Sequence, residues 1–148
     1  MTTCAWFGNQ AAADTLGEQN CLRMYNSKIY HNDRVVLMGA GIRHQIVTHW
    51  KAIKEMELAG ILDFGFPSYQ PGECDPGMIL VSRQHTQHNA WYLTGSVWTE
   101  INRPYHAIGS GRDFALAAMR LGKSPREAVE LSAEFDVYTG GEIEVVEI

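Results

Sequence analysis

AIGSGRDFALAA, residues 107–118, runs a short apolar strand into a glycine-framed turn and then into a helix. Tyr105–Ile108 reads as the strand, Gly109-Ser110-Gly111 as the turn, and Phe114–Leu121 as the helix, which stops at Gly122. Next comes a strong helix start. Ser124 is the cap, Pro125 takes the first helical position and Glu127 completes a capping box, so this helix should run to about Phe135. Tyr138-Thr139-Gly140-Gly141 then turns into a last strand, Glu142–Ile148, in which charged and apolar residues alternate.

The same strand–glycines–helix grammar occurs upstream. Lys28–Tyr30 and Arg34–Met38 flank His31-Asn32-Asp33 as a hairpin, and Gly39-Ala40-Gly41 closes it. From Ile42 to about Ala59 apolar residues recur at Ile46, Val47, Trp50, Ile53 and Met56, which is helical spacing with one buried face; Gly60 is a plausible stop. At the N-terminal end TTCAWF (residues 2–7) is β-prone, Gly8-Asn9-Gln10 turns, and Ala11–Asp14 returns. Residues 15–27 are polar and mixed, without a period, and 61–77 are rich in glycine and proline and read as a loop. Strands resume at Met78–Ser82 and Ala90–Thr94, joined through Arg83–Asn89. The order is strands, helix, strands, two helices, strand, an α+β pattern in a single domain over residues 1–148.

Composition narrows the function. A net charge of −5 argues against nucleic acid as the main partner, since phosphate binding needs a basic surface. No run of 18 apolar residues suggests a membrane span, and no basic-then-apolar leader suggests secretion. Cys4, Cys21 and Cys74 are odd in number, far apart and in no C-x-x-C pair, which suits free thiols in a reducing cytosol.

Five features, in order along the chain, carry a resemblance. They are Thr2-Thr3, Ala12-Ala13-Asp14, a lysine ahead of an apolar strand ending in Gly39-Ala40-Gly41, the segment 107–118, and Asp136-x-x-Thr139-Gly140-Gly141-x-Ile143. Together they resemble proteasome β-subunits, and most closely the short proteasome-like proteins of bacteriophages and some bacteria. The resemblance implies a four-layer αββα sandwich of the N-terminal-nucleophile hydrolase type. The chain departs from that pattern in a shorter first hairpin and in the loop 61–77, which stands where the family has a second outer helix that helps subunits pack into rings.

The resemblance also implies roles. Thr2 is the nucleophile once Met1 is removed, a removal that aminopeptidases favour before a small residue. Its freed α-amine, with an ordinary pKa of roughly 7.7–8.0, would serve as base. By position alone, Thr2 simply begins a strand. Lys28 is the family's catalytic lysine and Asp14 its acidic partner; taken singly they read as a strand-edge lysine and a turn aspartate. Ser110 corresponds to the serine near the terminal amine and is also a good helix cap, while Asp136 and Thr139 buttress that serine. Gly41 is the oxyanion-hole glycine, a donor position worth roughly 3–4 kcal/mol in other enzymes. Gly39 falls at the substrate-pocket position, where a missing side chain implies a roomy pocket.

No cofactor is implied beyond a structural monovalent cation or magnesium on the backbone carbonyls of Ala133, Asp136 and Thr139, spaced i, i+3, i+6. The histidines read as core or surface residues: His85 and His88 lack acidic or cysteine partners nearby, and His44 and His49 do not share a helix face. Trp91 and Trp98 read as core or interface. The implied function is a threonine endopeptidase working as a homo-oligomer on peptides or unfolded protein in the cytoplasm (the host's if phage-encoded), with an ATP-driven unfoldase as a candidate partner. The alternative is a non-catalytic structural or assembly protein that keeps the fold, because fold does not fix function. An amidase acting on a small amide is a third reading, though such enzymes carry other signatures.

Overall fold

The computed structural model describes residues 2–19, 22–55, 77–83, 90–94 and 97–148, and every structural statement below concerns these residues. They form eleven strands and three helices, with the strands in antiparallel sheets.

The first sheet is built around the N-terminal hairpin. β1 (Thr3–Phe7) and β2 (Gln10–Asp14) turn at Gly8, whose φ of +57° suits glycine. β10 (Tyr105–Gly109) pairs outside β1, and β11 (Ile143–Glu147) outside β2, giving the order β10-β1-β2-β11. The second sheet has the order β5-β6-β7-β8-β9. Its strands are β5 (Ile29–His31), β6 (Val35–Ala40), β7 (Gly77–Ser82), β8 (Ala90–Thr94) and β9 (Val97–Glu100).

Side-chain alternation sorts the residues of both sheets into three buried clusters. Cys4, Trp6, Ala11 and Ala13 of the first sheet meet Val36, Met38, Ile79 and Val81 of the second in one apolar cluster. The intervening residues point the other way. Val35, Leu37, Met78 and Leu80 pack against Ile46 and Ile53 of α1 (Arg43–Glu55). Ala5, Ala12 and Ala107 pack against Ala115, Ala118 and Met119 of α2 (Arg112–Arg120) and Ala128 and Val129 of α3 (Pro125–Phe135). Because β6 and β7 are covered on both faces they read as unbroken apolar runs. The third cluster is largely alanine, and alanine lets helix backbones come close to a sheet.

Most expected elements are found within a residue or two of their expected ends. The capping box of α3 is present in both halves: Ser124 Oγ accepts from the Glu127 N–H, and the Glu127 carboxylate accepts from the Ser124 N–H. The Ser124 N–H, Lys123 Nζ and the Ser124 hydroxyl together hold the Glu127 carboxyl down at about 2. Residues 15–27, read as aperiodic, contain a separate hairpin, β3 (Leu16–Gln19) with β4 (Leu22–Tyr25). β4 is exposed throughout, so neither face leaves an apolar alternation to read. β9 was also unexpected, Gly77 belongs to β7 rather than to the loop, and Trp91 and Trp98 both pack on the cluster beneath α1. The end expected for α1 near Ala59, the loop over 61–76 with its reduced second helix, and His85 and His88 lie outside the described residues. No described helix is long and apolar enough to cross a membrane.

Candidate functional site

Thr2 and Asp14 come together because β1 and β2 run antiparallel and Asp14 ends the second strand of the hairpin. Thr2 is 2% exposed and Asp14 is fully buried. A buried carboxylate needs donors on both oxygens, and here four converge. Oδ1 accepts from the Thr2 hydroxyl at 2.7 Å and from the Thr3 N–H at 2.8 Å. Oδ2 accepts from Lys28 Nζ and from the Gly140 N–H, both at 3.1 Å. Lys28, just ahead of β5, also donates to the Leu16 carbonyl at the start of the β3–β4 hairpin. The expected Asp14–Lys28 pair is therefore formed. The Thr2 hydroxyl bonds the carboxylate directly, and the described partners of Lys28 are Asp14 and Leu16.

Three further expected residues form a second cluster. Ser110 Oγ donates to Asp136 Oδ2 at 2.5 Å, and Thr139 Oγ1 donates to the same oxygen at 2.6 Å. Burial works against ionisation of Asp136, but the bonds from Ser110, Thr139 and the Tyr138 N–H outweigh it and hold the carboxyl below its ordinary range. Ser110 does not cap α2. The cap position is Gly111, which has no side chain to offer, and the Ser110 hydroxyl is turned toward Asp136. The Ser110 N–H donates to the Thr2 carbonyl at 2.8 Å, so this cluster touches the backbone of the residue whose side chain lies in the first.

Thr3, which the sequence reading left without a role, links the two clusters. Its N–H donates to Asp14, and its hydroxyl shares a 2.7 Å bond with Thr139 Oγ1. Gly111 makes room for that bond, since a Cβ there would sit 2.2 Å from Thr3 Oγ1. The register of β1 against β10 places Gly109 opposite Thr3, and Gly111, two residues further on, is brought against the Thr3 hydroxyl only by the turn that follows the strand.

Thr2 lies on the wall of a cavity of about 710 Å³, with Lys28, Gly39, Gly41 and residues of α1. Gly41 has φ +126°, a backbone conformation that L side chains rarely adopt, so the oxyanion-hole candidate is beside Thr2 in a turn that requires glycine. Gly39 lines the cavity too, but the room does not lie where its missing side chain would point. The direction of its Cβ is filled by Ile46, with the nearest atom at 2.5 Å. Cys4 is buried with its Sγ 3.6 Å from the Gly39 carbonyl; burial pushes its thiol far up, so it is no competing nucleophile. Of the carbonyls suggested for a cation, that of Asp136 accepts from the Thr139 N–H at 3.0 Å. His49 is buried and His44 is exposed, on different faces of α1.

No family model matches the chain, and no curated protein matches it.

Proposed function

We propose that the chain is a threonine-type endopeptidase with Thr2 as its N-terminal nucleophile after removal of Met1, on a four-layer αββα sandwich of the N-terminal-nucleophile type. The observation that carries the reading is the Thr2 hydroxyl, on a cavity wall and 2.7 Å from a buried carboxylate that also binds Lys28. The layer arrangement is supported by one apolar cluster shared between the two sheets, with α1 packed on one outer face and α2 and α3 on the other.

In this reading Asp14 orients the hydroxyl and holds Lys28 in place, and the Lys28 ammonium offsets the negative charge that develops on the oxygen. The freed α-amine of Thr2 takes its proton, and Ser110, Asp136 and Thr139 hold the terminal backbone through the Thr2 carbonyl and Thr3. Gly41 supplies the N–H toward the developing oxyanion. No cofactor is required. The carbonyls of Ala133, Asp136 and Thr139 would take a hard monovalent cation or magnesium, with Asp136 offering the lone pair that its turn bond leaves free. The chain would act as a homo-oligomer on peptides or unfolded protein in a cytosol, with an ATP-driven unfoldase as a candidate partner.

Intact-mass analysis of native protein treated with a threonine-directed epoxyketone tests this. The expected result is loss of Met1 and a single adduct on Thr2. Retention of Met1 with no adduct sinks the proposal. One observation favours a structural protein instead: Thr2 is nearly inaccessible, and its hydroxyl already satisfies the carboxylate beneath it.

A further inference from the structure

The cavity beside Thr2 has two unlike walls. One face of α1 supplies Arg43, His44, Val47, Thr48 and Lys51, residues one and two turns apart that all line it. Arg43, His44 and Lys51 are exposed and have no ion-pair partner among the described residues. The first turn of α1 contains no acidic residue, so the partial positive charge of its N-terminus is not offset there. The opposite wall, from β3, contributes the single described acid of the lining, Glu18. Lys28 also lines the cavity, but its charge is spent on buried Asp14. The chain as a whole carries 17 acidic against 12 basic residues, yet with Lys28 set aside this lining holds two basic residues, Arg43 and Lys51, against one acid. That local reversal of sign beside the candidate nucleophile points outward, to what enters the cavity. Between the cations Ile42, Ile46 and Val47 give an apolar surface, which suits the methylenes of a glutamate better than a compact anion.

We infer that the cavity selects peptides with an acidic side chain, glutamate before aspartate, at the residue on the acyl side of the scissile bond, read by Arg43 and Lys51. This rests on the peptidase reading for its chemistry but not for its recognition. Two exposed cations support only a modest preference, about fivefold over an isosteric neutral side chain, and salt screens it.

The test uses two tetrapeptide coumarylamides identical except for Glu or Gln at that residue, and rhodamine-labelled versions of both peptides for binding by anisotropy. Binding is measured on the wild type and on Thr2→Ala, which needs no turnover. The Glu peptide should bind about fivefold more tightly to both proteins, the ratio should fall toward one at 0.5 M salt, and Arg43→Glu with Lys51→Glu should invert it. Both positions are exposed, so these variants should fold; the salt series stands without them. Equal binding of the two peptides, or no binding of either, overturns the inference. Preferential binding of the Glu peptide without hydrolysis sustains it while the peptidase reading falls. Hydrolysis of both peptides at equal kcat/KM overturns it while the peptidase reading stands.

Discussion

Two turns of this chain look alike in sequence and differ in what their glycines face. Gly39-Ala40-Gly41 leads into α1, and Gly109-Ser110-Gly111 leads into α2. In the first, a Cβ on Gly39 would strike the side chain of Ile46, at 2.5 Å. In the second, a Cβ on Gly109 would lie 1.8 Å from the Thr2 carbonyl oxygen and 2.7 Å from its carbon. Gly109 also has φ +98°, outside the range of ordinary side chains. One turn opens onto the cavity, where side chains can rearrange. The other is pressed onto the backbone of the N-terminal strand, which cannot move without giving up the β1–β10 ladder. At their first glycines the two motifs therefore mark a tolerant wall in one place and a rigid mould in the other, while Gly41, with φ +126°, needs glycine as Gly109 does.

Gly109→Ala should be the most damaging single change. Left-handed strain and a backbone clash act together, and we expect a loss above about 3 kcal/mol, or failure to fold, read from urea denaturation. Gly111→Ala should cost less, about 1–3 kcal/mol, because Gly111 has a negative φ and its Cβ would meet the Thr3 hydroxyl, a side chain that can turn aside. Turning it aside breaks the Thr3–Thr139 bond, so epoxyketone labelling at Thr2 should slow more than the stability loss alone would predict. A Gly109→Ala protein as stable as wild type would mean that Thr2 does not sit against this turn.

The different roles of the two turns were only partly legible in the sequence. The strand-to-helix grammar, the capping box at Ser124 and the N-terminal hairpin were open to reading because propensity, turn residues and burial agree there. The pairing of Asp14 with Lys28 followed from the resemblance, and the bond from Thr2 to that carboxylate was not foreseen. Nor was the role of Thr3, or of Ile46 as the filler behind Gly39, since both depend on register and on helix placement between elements far apart in sequence. β3 and β4 escaped for a different reason. A solvated hairpin buries too little to leave a pattern, and its geometry comes from backbone pairing.

Gly39→Ala tests the tolerant side of the comparison. Ile46 is β-branched and stiff at χ1, so it must leave its rotamer or drag α1 outward, at a cost of about 1–2 kcal/mol. A loss as large as that of Gly109→Ala would erase the difference between the turns. The displaced Ile46 would also move into the cavity, so binding of any peptide there should weaken even where stability holds.

The smallest effect expected is electrostatic, and it asks whether the second turn is held by charge as well as by shape. Asp136 fastens Ser110 to Thr139, and those bonds depress its carboxyl despite partial burial. An unfolded aspartate titrates near about 4. A group whose folded value is depressed stabilises above its unfolded value, and that contribution disappears as pH falls through the folded one. Asp136→Asn should therefore be less stable than wild type at pH 7 and at pH 5 by the same small amount, since Asp136 is partly exposed and solvent screens its charge. Below about pH 4 the two stability curves should converge as the wild-type carboxylate takes up its proton. Parallel urea midpoints from pH 7 to pH 3 would show that the turn depends on the shape of Asp136 and not on its charge, leaving glycine packing as the sole basis of its rigidity.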